Sequence, residues 1–133
     1  SKVESCLKTC PYVEFPLVVG RQGEGRVIAL IQPQRHILAA YAKKHNIPGD
    51  EVALCADPKM IAAVYAALVA ECRAAGLATF ETPAACALVV DPEVAAAPAF
   101  SPENGMLTDT MKPKRPLIAS TFEKDIAAAY GRA

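Results

Sequence analysis

The chain has 133 residues, 53% hydrophobic and 21% charged, which is enough apolar surface for one domain with a sizeable core. Its 14 basic side chains balance 14 acidic ones, which excludes the overall positive field of a protein that lives on nucleic acid or anionic lipid, so any phosphate contact has to be local. The five cysteines are odd in number and contain no C-x-x-C, which argues against a disulfide framework or a zinc knuckle and for a reducing, intracellular setting.

The chain opens in a helical pattern, SKVESCL, with Val3, Leu7 and Cys10 at helical spacing and Ser1 in the capping position. With so abrupt a start, the chain is expected to be a piece of something longer. Two apolar runs follow, VEFPLVVG and RVIALIQP, joined by the glycine-bearing RQGEG; this reads as a β-hairpin. Pro16 has no N–H for a ladder, which puts the first strand at an edge or bulges it there. From Gln34 to His45, Ile37, Leu38 and Tyr41 repeat at helical spacing until Asn46, Pro48 and Gly49 stop the pattern, and Gly49 and Asp50 belong to an exposed loop.

The strongest local signal is DPKMIAAVYAALVAECRAAG, with Asp57 as N-cap, Pro58 at the first helical position and Gly76 just past the end. Ile61, Val64, Tyr65, Leu68 and Cys72 share one face, so this is a surface helix packed on a sheet. CALVV, Cys86 to Val90, reads as a short buried strand, DPEVAAAPAF as an irregular connector, and a single last helix runs from about Leu117 to Tyr130. The order of elements predicts a small α+β domain: a mixed sheet with a β-hairpin, flanked by helices. No apolar run reaches the roughly 18 residues that span a bilayer, and no leader pattern precedes the first helix. The chain is expected to be intracellular, either cytoplasmic or peripherally membrane-associated; its terminal GRA is not a peroxisomal S-K-L.

Most candidate chemistry dissolves on inspection. Cys6 and Cys10 stand at i, i+4 but lack further ligands nearby, so they read as core thiols and no metal site is assigned. His36 and His45 have no serine or carboxylate pattern around them and read as surface residues. RQGEG lacks the context of a phosphate loop.

The stretch FSPENGMLTDTMKPKRP, Phe100 to Pro116, is different. Asn104-Gly105 is a strong turn signal, Thr108 and Thr110 supply hydroxyls, and Lys112 closes the loop. A lysine so presented sets a compact charge and three donors where negative charge builds up on a carboxylate or phosphate. The bland alternative is solvated decoration.

Taken whole, the stretch resembles the C-terminal signature of long-chain fatty acyl-CoA synthetases in the adenylate-forming, AMP-binding superfamily, which runs close to F-t-x-E-N-G-L-L-T-P-T-x-K-x-K-R. CPYVEFPLVVG, RVIALIQP and the pairs Gly76-Leu77 and Phe80-Glu81 resemble further elements of the same family's small C-terminal lid, so that nearly all of residues 1–133 are covered. The resemblance implies a lid domain of a fatty acid:CoA ligase. It places the ATP- and acid-binding N-terminal domain, hinge and acyl tunnel outside the sequence, so the isolated chain is expected to be inactive. It implies Lys112 as the lysine of the adenylation half-reaction, and ATP, Mg²⁺ and CoA as requirements of the parent enzyme, with no cofactor held by this piece itself. Thr108, Thr110, Lys114 and Arg115 become contacts to substrate phosphate or across the domain boundary; for Lys114 and Arg115, simple charge at the start of the last helix stands as the other reading. Asp109 replaces the family's proline and Pro113 an apolar residue, which raises the expectation of an Asp109–Lys112 pair in the free domain and an extended Lys112. The partners implied are the parent's N-terminal domain and its nucleotide and thiol substrates. Rival readings are a non-enzymatic interaction module whose basic loop meets an acidic partner, and the lid of another acyl-adenylate-forming enzyme.

Overall fold

Six consecutive residues of the middle strand, Ile28–Pro33 (β2), are all buried, and that fact arranges everything else. The computed structural model describes residues 1–133. β2 pairs antiparallel with Val13–Val19 (β1) and parallel with Cys86–Leu88 (β3), giving a three-stranded mixed sheet in the order β1-β2-β3. Side chains alternate across a strand, so Ala29 and Ile31 enter one apolar core while Ile28 and Leu30 enter a second on the opposite face.

The first face is covered by Lys2–Leu7 (α1), Arg35–Lys44 (α2), Glu51–Ala56 (α3) and Pro58–Ala74 (α4). Leu7, Leu38, Leu54, Met60, Val64, Leu68 and Cys72 meet the sheet there. α4 begins as its sequence dictates: the Asp57 carboxylate accepts from the N–H groups of Lys59 and Met60, Pro58 occupies the first turn, and Gly76 follows in the left-handed region at φ +78°. α1 carries the reciprocal cap in which Ser1 Oγ accepts from Glu4 N–H. The second face is covered by the segment 98–113 and by Arg115–Thr121 (α5) and Glu123–Arg132 (α6), through Phe100, Met106, Leu107, Ile118, Phe122 and Ile126.

β1 is the edge strand, as Pro16 requires, but the irregularity falls at Glu14, between Val13 and Phe15. The extra residue switches sides: Val13 packs in the first core, whereas Phe15 and Leu17 pack in the second. Gln32, also buried, donates through Nε2 to Glu14 Oε1 (2.6 Å) and accepts from Phe100 N–H (2.8 Å), so one amide fixes both the bulge and the start of the lysine segment.

One element is added and one expectation corrected. Gly49 and Asp50 are exposed, as expected, and the residues after them form a helix, α3, whose N-cap is Asp50 bonded to Ala53 N–H; with only Leu54 and Cys55 buried, its apolar period is too short to read. The single last helix is two, turned at Phe122. The hydroxyls of Ser120 and Thr121 both donate to the Leu117 carbonyl, a back-bonding that bends helices, and Phe122 is drawn into the core edge-on to Phe100, with ring centroids 5.7 Å apart. No helix is long and apolar enough to cross a membrane.

Ile31→Ala should test the two-faced strand: Ile31 is fully buried, and the cavity should cost about 3 kcal/mol in urea denaturation. A loss under about 1 kcal/mol would mean that the first core is not close-packed.

Candidate functional site

The lysine segment is built around the side-chain amide of Asn104. Its Nδ2 donates to Asp91 Oδ2 (3.0 Å) and to the carbonyls of Ala99 (2.8 Å) and Pro98 (3.3 Å), while Oδ1 accepts from Met106 N–H (3.0 Å) and Ser101 N–H (3.3 Å). Ser101 Oγ accepts from the Asn104 N–H in return. Gly105 follows at φ +81°, a conformation that a side chain would strain. Asp91 is itself tied down, with Oδ1 accepting from the N–H groups of Glu93 and Val94 (2.8 Å each). The Asn104 amide first, and then these two N–H groups, hold its carboxyl below the ordinary aspartate value, against a smaller opposing effect of burial.

From this knot the chain drops through buried Met106 and Leu107 and turns back in a tight hairpin. Leu107 pairs antiparallel with Pro113, Thr108 N–H donates to the Lys112 carbonyl (2.8 Å) and Lys114 N–H to the Met106 carbonyl (2.8 Å). Met111 N–H closes the turn on the Thr108 carbonyl, with Met111 at φ +67°. That pattern is the three-residue hairpin loop with a left-handed residue before the returning limb. A methionine accepts the conformation only because the bonds around it over-determine the turn. The two threonine hydroxyls lie 3.1 Å apart, and Thr108 Oγ1 also accepts from Lys112 N–H (3.1 Å). They brace the turn that carries the lysine.

Lys112 is exposed and its ammonium forms no ion pair or hydrogen bond within the domain. The expected Asp109 pair is not made; Asp109 lies in the tip of the turn, and the backbone that joins the two residues is already committed to hydrogen bonds on the Thr108 side. Lys114 is likewise exposed without an ion-pair partner. Arg115 is different. It sits at the first position of α5 and lays its guanidinium on the Glu4 carboxylate, with Nη2–Oε1 at 3.0 Å and two further contacts to Oε2 at 3.3 Å, while Nη1 donates to the Val18 carbonyl (3.2 Å). Glu4, 111 residues away in sequence, is a participant that no local pattern announces.

The remaining candidates stay apart from this place. Cys10, Cys55, Cys72 and Cys86 are buried, and burial pushes the Cys55 and Cys86 thiols up to about 12, which leaves them protonated and unreactive. Cys6 donates to the Glu71 carbonyl, and no set of three or more His, Cys, Asp or Glu side chains converges on a metal position. His36 and His45 are exposed, His45 stacking on Tyr41 at 4.1 Å. An open groove of about 810 Å³ runs beside the Asn104 knot, but Asp91, Glu93 and Glu103 line it. Carboxylates repel a phosphate ligand, so the charge of the groove disfavours one there.

Relatives match the chain over nearly its whole length. The chain is 30% identical over 131 residues to fatty acyl-CoA synthetase B of Dictyostelium discoideum, covering 98% of this chain and 18% of the relative. Long chain acyl-CoA synthetase 6, peroxisomal, of Arabidopsis thaliana is 30% identical, and long-chain-fatty-acid–CoA ligase 1 of Cavia porcellus 31%, each over 97% of this chain and 18% of its own length. Its homologues are long-chain acyl-CoA synthetases, and it corresponds to their C-terminal domain. The chain thus spans about a fifth of the length of the relatives it matches. No family model matches it. Among solved structures, the adenylation domain of a carboxylic acid reductase from Segniliparus rugosus, in complex with AMP and a co-purified carboxylic acid, aligns with a TM-score of 0.72 and 26% identity over 99% of this chain and 18% of that one. The corresponding domain from Mycobacterium chelonae, 21% identical over 98% of this chain and 17% of its own, has the same fold with a TM-score of 0.73.

Asn104→Ala should cost about 2 kcal/mol, because it strands a buried carboxylate oxygen and several backbone groups together. The pH dependence has a definite sign. A carboxyl whose folded value is depressed contributes stability that is complete above its unfolded value and is lost as pH falls through the folded one. Stability measured by urea titration should therefore decline below about pH 4, and Asn104→Ala should flatten part of that decline. An equal acid sensitivity in wild type and variant would separate Asp91 from the knot.

Proposed function

We propose that residues 1–133 act as the lid of a long-chain fatty acid:CoA ligase and that Lys112 is the cation it delivers to the adenylation step. The single observation that carries the reading is the exposed, unpartnered ammonium of Lys112 at the tip of a hairpin whose backbone is fixed on both limbs. A lone flexible lysine would lose much of its effect to reorganisation; a held one is set in advance. The names of the relatives supply the substrate class, and the bound AMP and acid of the reductase domain supply the chemistry that a domain of this fold accompanies.

The reaction has two displacements. The fatty acid carboxylate attacks the α-phosphorus of ATP, forming the acyl–oxygen–phosphorus link and releasing diphosphate. The CoA thiol then attacks the acyl carbon and AMP departs. In the first, negative charge on carboxylate and phosphate is brought together, and Lys112 offsets that repulsion while Thr108 and Thr110 keep the turn in shape. Lys114, also unpaired, faces the same surroundings as a phosphate or interdomain contact. Mg²⁺ supplies charge neutralisation at the phosphates when it binds with the nucleotide; its ligands, the nucleotide pocket and the acyl pocket belong to the complementary domain. By itself the lid has no activity.

In the full-length ligase, Lys112→Ala should reduce fatty-acid-dependent pyrophosphate exchange by about 10²-fold or more. Thioester formation from supplied acyl-adenylate should survive within a few-fold. Survival of both half-reactions would remove Lys112 from the mechanism.

A further inference from the structure

We infer that Glu4 and Arg115 are a positioning pair for Lys112, holding the returning limb of the lysine hairpin as the Asn104 knot holds the outgoing one. The inference rests on the adenylation reading of Lys112 and assigns Arg115 a role within the domain instead of a contact to phosphate.

Arg115 stands three residues beyond Lys112, at the N-terminal end of α5, where the helix dipole disfavours a cation. The position is tolerated because the guanidinium leaves the helix end for Glu4, making a forked contact to both carboxylate oxygens and a further bond to the Val18 carbonyl. Such forks fix orientation as well as distance. The Glu4 carboxylate is no loose surface group. Its side chain is only 14% exposed, and Oε2 accepts from the Val18 N–H of β1 at 2.7 Å. The pair therefore pins α5 to α1 and to the edge strand. Burial works against the charge of Glu4, but the Arg115 and Val18 hydrogen bonds and the neighbouring positive charges together outweigh it and leave its carboxyl below the ordinary glutamate value.

Between this anchor and the knot, the hairpin is closed by Thr108 N–H to Lys112 O and Lys114 N–H to Met106 O. Release of Arg115 leaves the hairpin closed on itself by these bonds but removes its anchor to α1 and β1, so the hairpin shifts as a unit against the sheet and the ammonium of Lys112 moves with it. A displacement of an ångström in a charge that must meet developing charge is enough to slow the step.

The test uses the full-length ligase with Glu4→Gln, Arg115→Gln, their double variant and Lys112→Ala, each assayed for pyrophosphate exchange and for thioester formation from acyl-adenylate. The same preparations are followed by hydrogen exchange of the peptide spanning 106–114. The pair predicts a similar fall in exchange, about tenfold, for either single variant. The double variant should be no worse, thioester formation should hold within about twofold, and amide protection at 106–114 should be reduced in all three. An Arg115→Gln loss at least tenfold beyond that of Glu4→Gln would make Arg115 a direct substrate contact and overturn the inference, as would unchanged protection. A silent Lys112→Ala would instead remove the lysine reading on which the pair depends.

Discussion

A strand buried on both faces cannot stand without cover on both, and in this domain the second cover is the lysine segment itself. Phe100, Met106 and Leu107 pack into the same core as Ile28 and Leu30, with Phe122 and Ile126 of the last helices closing it. The hairpin tip is thus an extension of the core rather than a loop attached to it. Beyond the buried Met106 and Leu107 the segment emerges at the turn, where Asp109, Thr110, Met111 and Lys112 face solvent. Core packing therefore sets where the lysine leaves the surface, and the hydrogen bonds of Asn104 set the path by which it gets there.

This arrangement divides labour among residues that look alike in the sequence. Of the three cations in MKPKR, Arg115 is committed inside the domain, while Lys112 and Lys114 are left unpaired. The difference follows from reach and shape. A guanidinium can fork onto Glu4 and still bond a strand carbonyl, whereas an ammonium at the turn tip has only solvent or a partner surface to meet. The threonines likewise serve the turn: their hydroxyls bond each other and the Lys112 N–H.

What the sequence made legible was whatever local chemistry decides. The Asp57–Pro58 start and Gly76 stop of α4, the Ser1 cap, the hairpin and its edge strand, and the mixed sheet were readable because caps, turns and apolar periods act within a few residues. α3 was missed because six residues with two buried side chains carry no period. The break at Phe122 was missed because it depends on hydroxyl back-bonding and on Phe100, brought near only by the fold. Glu4 was missed for the same reason, and Asp91, which Asn104 reaches across thirteen residues, lay in a stretch that read only as an irregular connector. The candidate lysine was legible through its motif. The parts that hold it were not, since they are joined only in three dimensions.

Whether Lys112 meets the nucleotide and acid at the adenylation step can be read by affinity labelling. An adenosine bearing a lysine-reactive sulfonyl fluoride at its 5′ position would be incubated with the full-length ligase and the modified residue located by peptide mass spectrometry. If Lys112 lies at the adenylation site it should be labelled, and ATP with fatty acid should suppress the labelling. Labelling that spares Lys112, or that is indifferent to ATP, would contradict that placement.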